Sequence, residues 1–281
     1  MQQRIKTVPV LLIFAAAFCA GGLYFYQLLR LCNSHTGMLE KGFTTIYVLY
    51  ALIFAVILLS VRYAFKRKRT QESVYLKEPS LPVSYACALA SAGLLYDFVH
   101  QCFNCYRYFD NKGYIDYAYI IPTVLSGIFA LLCASFFIAL FLTARGTGVD
   151  FRRIPFLSFA PVVWCAMRIF TKMSNMFDFV KGVEPLLELA LLISLLIYFA
   201  VFISESESSN PASVSFIFQS LITAFLAFLV SVPRLLVMLL AGYKTLYPVD
   251  FSCSAYMFIG VFIITLLYDN RKREKTALNG E

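Results

Sequence analysis

Eight long apolar runs separated by short polar gaps constrain this chain more than any other feature. They cover residues 7–31, 43–65, 81–102, 117–144, 155–173, 184–204, 213–242 and 251–269. A bilayer core is about 30 Å thick, and a helix crosses it with roughly 20 apolar residues. Strands of an outer-membrane barrel would instead place a polar residue at every second position. The soluble alternative fails on composition: 14% of the residues are charged and 60% hydrophobic, whereas soluble domains carry about 25% charged residues. The expected fold is all-α, a polytopic transmembrane helix bundle forming one integral membrane domain over 1–281. The longest gaps are too short to fold as a soluble domain.

The polar gaps orient the bundle. Arg4, Lys6, Lys66, Arg67, Lys68, Arg69, Lys77, Arg145, Arg152, Arg153, Arg271, Lys272, Arg273 and Lys275 fall on one side; Lys41, Arg107, Lys112, Lys181 and Lys244 fall on the other. The positive-inside rule then places both termini in the cytoplasm, and an even number of spans agrees. The net charge of +8 is thus an orientation signal and does not point to nucleic acid. The acidic gap at 204–210 leaves this unchanged, because carboxylates contribute little to orientation. The first run continues through Leu23–Leu29, past the small residues that could mark a signal-peptide cleavage site, so it reads as an uncleaved helix. The run over 213–242 would be about 45 Å long as a straight helix. Pro233 predicts one kinked helix there rather than two re-entrant halves.

Ionised groups inside apolar runs are costly and stay where something pairs with them or uses them. On the fifth run, Pro161, Trp164, Arg168 and Lys172 share a stripe at helical spacing. Trp164 is the only tryptophan, placed for an indole–guanidinium contact with Arg168. Arg168 and Glu188 flank the turn near Asp178 at matching depth, which predicts an ion pair between them. Asp97 and His100 lie near the same end of the third run, and Arg234 lies beside Pro233. By depth along the chain, these six residues (Arg168, Glu188, Asp97, Trp164, Arg234 and His100) form a candidate ligand site opening outward. Arg30, Lys172 and Arg234 also fit the simpler role of cations snorkelling to headgroups.

His100-Gln-Cys102-Phe-Asn-Cys105 lies at the outer mouth, with Cys32 and His35 on a neighbouring loop. A C-x-x-C can be a redox pair, and in an oxidising compartment a disulfide from Cys32 to Cys102 or Cys105 is the simpler reading. The spacing fits no standard zinc pattern, so no metal is expected, and no phosphate-binding loop or other cofactor motif is present. Cys19, Cys87, Cys133, Cys165 and Cys253 read as small packing residues. So do Ala88, Ala92 and Gly93, and Ala20-Gly21-Gly22, where helices would approach closely.

Pro161-x-x-Trp164-x-x-x-Arg168 with the Glu188 helix, and the Thr36-Gly37 turn, resemble segments of uncharacterised multi-pass membrane proteins of Gram-positive bacteria. That resemblance implies a plasma-membrane setting and no activity. The leading expectation is a small-molecule or ion transporter, or a ligand-binding membrane protein, in a lipid bilayer with a small anionic or zwitterionic ligand. The alternatives are a scaffold or assembly subunit, with a membrane partner or as a homo-oligomer, and a thiol oxidoreductase using Cys102 and Cys105. A non-enzymatic role is favoured.

Overall fold

A computed structural model describes residues 15–31, 43–68, 80–111, 117–147, 155–174, 183–207, 214–241 and 253–279. Eight helices account for nearly all of them. We number them α1 (15–31, whose last turn Gln27–Leu31 is a π-helix), α2 (Phe43–Lys68), α3 (Leu81–Asn111), α4 (Tyr117–Ala144), α5 (Pro155–Ser174), α6 (Val183–Glu207), α7 (Val214–Ala241) and α8 (Cys253–Asn279). Within them, Thr44–Phe65, Leu81–Tyr106, Ile120–Ala144, Phe156–Met173, Leu186–Ser206 and Val214–Leu240 are long and apolar enough to span a bilayer, and α8 has a shorter apolar stretch, Cys253–Asp269. The chain is an integral membrane protein.

Helix starts follow local chemistry. Pro155 opens α5 and Pro82 sits in the first turn of α3, where a missing N–H costs nothing. Three further prolines, Pro122, Pro161 and Pro233, lie inside α4, α5 and α7 without ending them. Val214–Ala241, within the 213–242 run, is one continuous helix through Pro233.

Packing is organised as a closed ring. Helices α3, α4, α5, α6, α7 and α8 each pack on the next, and α8 returns to α3; α2 and the π-turn of α1 lie outside this ring against α7. Burial reflects the arrangement, since 67% of the apolar window of α7 is buried against 17% of that of α2. The α3–α8 seam is tight at Gly93, where a Cβ would come within 2.7 Å of Phe258 and 3.0 Å of the Ala255 backbone. Its other end is fastened by the Ser80 backbone N–H, which donates to Asp269 Oδ2 at 3.2 Å. A carboxylate there also meets the positive end of the α3 dipole.

The small residues divide into two kinds. Gly93 and Ala20 are buried as expected. Ala88 and Ala92 face outward, and a Cβ on Gly21 or Gly22 would meet nothing within 4 Å. Helical phase decides this, because neighbouring positions on one helix point about 100° apart. The same applies to the cysteines: Cys87, Cys133, Cys165 and Cys253 are buried and Cys19 is exposed.

Aromatic rings fill the middle of the ring of helices. Phe137 from α4 meets Phe262 from α8 at 5.1 Å between centroids, with the planes at 86°. Phe199 and Phe202 from α6 join them, and Tyr198 stacks on Phe216 of α7 at 5.9 Å. Edge-to-face geometry of this kind suits the quadrupoles of the rings. The contacts among Phe137, Phe199, Phe202 and Phe262 join helices that are not neighbours in the ring, so the centre is packed at this level. Between α6 and α7, Gln219 donates to the Ser194 carbonyl at 2.8 Å, and the Ser194 and Thr223 hydroxyls bond at 2.7 Å.

Candidate functional site: a charge network across five helices

The end of the ring where α3, α5 and α7 finish and α4, α6 and α8 begin carries a different kind of core. On α5, positions 161, 164 and 168 are buried and 172 is half-buried, which is the stripe expected from their spacing. Trp164, Arg168 and Lys172 follow one another at one-turn intervals and face the ring interior. Asp97 of α3, fully buried, receives them first: the Trp164 indole Nε1–H donates to Oδ2 at 3.1 Å. Its Oδ1 accepts from Gln101 Nε2 at 3.3 Å and lies 3.5 Å from Arg168 Nη2.

Arg168 then reaches across the ring. Its Nη2 donates to the Tyr256 hydroxyl of α8 at 3.3 Å, and that hydroxyl donates to Glu188 Oε1 of α6 at 3.1 Å. Glu188 Oε2 receives Arg234 Nη1 of α7 at 3.2 Å and Lys172 Nζ of α5 at 3.0 Å. A tyrosine hydroxyl can do this because it both accepts and donates. The result is a continuous circuit, Trp164–Asp97–Arg168–Tyr256–Glu188–Arg234/Lys172, touching α3, α5, α6, α7 and α8. Each carboxylate oxygen accepts at least one donor, as burial of a charge in a low-dielectric core demands.

Two expectations change here. The anticipated Arg168–Glu188 pair is relayed through Tyr256, while Arg168 is paired with Asp97. Equal depth in a hairpin sets height but not angle, and the interior face of α5 aims Arg168 at α3. Lys172 and Arg234, which also suited headgroup snorkelling, turn inward to Glu188; Arg234 is 6% exposed. Arg30 is exposed, in keeping with the headgroup role. Trp164 acts as a hydrogen-bond donor to Asp97 and tilts against Tyr256 at 6.1 Å.

The other candidates fall elsewhere. The His100 ring Nδ1 meets Asn104 Nδ2 at 3.1 Å, and its ring lies 6.4 Å from that of Tyr96. Helix α3 continues well past residue 102 to Asn111, so Cys102 and Cys105 lie inside it. Both are free thiols. Redox C-x-x-C pairs are activated by cationic neighbours or a helix N-terminus, and these cysteines sit in the last turns of α3. Cys32 and His35 lie outside the described residues. Among the described residues no group of His, Cys, Asp and Glu could hold a metal ion.

Sequence reading missed Tyr256 and Gln101. Tyr256 is one of eighteen tyrosines, so its type carried no signal. Its place in the first turn of α8, level with Glu188 near the start of α6, could have found it. No protein-family model matches this chain, and no curated protein or solved structure matches it significantly.

Proposed function

We propose that this integral membrane protein binds, and carries across the bilayer, a small anionic or zwitterionic molecule at the network. The observation that carries this reading is a charge imbalance. Among the described side chains the network joins Arg168, Lys172 and Arg234 to Asp97 and Glu188, so cations outnumber carboxylates. Lys172 stands at its edge with 36% of its side chain exposed, the position from which an anion would be met first. A carboxylate or phosphate oxygen competes there with Glu188 Oε2 for the same donors. In the orientation expected from the basic gaps, this edge faces the exterior of a bacterial plasma membrane.

The test is a panel of inorganic phosphate, short carboxylates and amino acids, applied to purified protein and to liposomes containing it. One class should raise the Tm and cross the liposome membrane. Lys172→Met, which leaves Arg168 and Arg234 in place, should weaken both effects about tenfold or more. A folded protein that neither shifts nor transports with any member of the panel refutes the proposal.

A second reading has its own support. Every carboxylate oxygen of the network is already satisfied within the protein, which suits a brace holding the ring of a scaffold or assembly subunit. A stoichiometric partner that co-purifies in mild detergent, with no ligand effect, would favour it.

A further inference from the structure

One cavity lies away from the charge network. It is an apolar groove of about 720 Å³ between α1, α7 and α8, within the size range of small-molecule sites. Gly21 and Gly22 leave its α1 wall open between Phe18 and Phe25, and Phe225 and Pro233 of α7 line it. Along α7 the lining extends from Ile217 to Leu236, roughly 28 Å at the helical rise. That is nearly the thickness of a bilayer core. No charged residue lines it. Such a space fits a long, flexible hydrocarbon chain and has nothing to orient a compact polar solute.

One end of the groove differs from the rest. Tyr63 of α2 and Tyr268 of α8 line it, amphipathic rings of the kind that sit at headgroup level. Arg62, exposed, precedes Tyr63, and the remaining turn of α2 carries Lys66, Arg67 and Lys68. Helix α8 carries Arg271, Lys272 and Arg273 just beyond Tyr268. Two basic helix ends thus flank the mouth of an apolar groove, and clusters of this sort attract anionic headgroups.

We infer that this groove is a binding site for an anionic phospholipid, with an acyl chain along α7 past Gly21 and Gly22 and the headgroup at the basic ends of α2 and α8. The experiment uses the full chain in neutral detergent, titrated with phosphatidylglycerol or phosphatidylcholine of identical chains and followed by native mass spectrometry. Wild type should retain one phosphatidylglycerol with at least tenfold preference. Gly21→Leu should lose that lipid without losing Tm, because its added atoms enter open groove; Gly22→Leu serves equally should Gly21→Leu not fold. Arg62→Gln combined with Lys66→Gln and Arg67→Gln should bring the two lipids to near parity. Equal retention of both lipids by wild type overturns the inference, as does undiminished phosphatidylglycerol binding by the folded leucine variants. So does a wild-type dimer that Gly21→Leu converts to monomer, since the groove would then hold a second copy of the chain.

Discussion

Two levels of one six-helix ring hold together by opposite means. In its middle, rings from α4, α6, α7 and α8 interlock with no charge among them. Toward one end, five helices are joined through ionised side chains that bilayer burial penalises. The aromatic level specifies shape, and loss of one contact leaves its neighbours intact. The charged level specifies partners: remove one and the buried charges it satisfied lose that compensation. The difference teaches where function can reside. A packed aromatic plug has no spare valence for a ligand, whereas a circuit with surplus positive charge does.

The comparison can be broken most decisively at Glu188. Glu188→Leu strands the buried Arg234, and should cost about 3–5 kcal/mol of stability, read as a large fall in Tm in detergent. Adding Arg234→Leu should recover much of the loss, because Lys172 can turn to solvent. A Glu188→Leu protein as stable as wild type would show that the charged level carries no structural weight. Next in size is Phe137→Leu, which removes edge contacts to Phe262 and Phe199, each worth about 0.5–1.5 kcal/mol. Here a double-mutant cycle with Phe262→Leu should show modest coupling and no rescue, in contrast with the Glu188–Arg234 cycle. The smallest effect belongs to Trp164→Phe. It keeps the packing but withdraws one of the donors around the Asp97 carboxylate, at about 1.5 kcal/mol, the low end for a bond to a charged group whose other oxygen stays satisfied. A loss several times larger would mean that the indole also orders Arg168.

Much of this was legible in the residues because cost is legible. Apolar runs of bilayer length announced the helices, and Asp97, Arg168, Glu188 and Arg234 stood out as charges where charge is expensive. Helix ends were less visible. Polar residues such as Gln101 and Asn104 end the apolar signal of α3, yet its backbone bonds continue to Asn111. Partner choice was less visible still. Depth along a hairpin paired Arg168 with Glu188, but the angular position of α3 and α8 in the ring decided for Asp97 and a Tyr256 relay. The contact of α3 with α8 joins helices far apart in sequence, and no periodicity records it. Gly93 marked the crossing only as one of several small residues, of which Ala88 and Ala92 face outward.

The seam fastened by Gly93 against Ala255 and by Ser80 against Asp269 sets an order of assembly. Its two sides are α3 and α8, far apart in sequence, so a chain that has not yet placed α8 leaves the ring open along that flank of α3. Arg168 can find Asp97 once α5 arrives, but the Tyr256 bridge to Glu188 waits for α8. A nascent chain halted before α8 would present that unfinished edge to the surveillance proteases of its membrane.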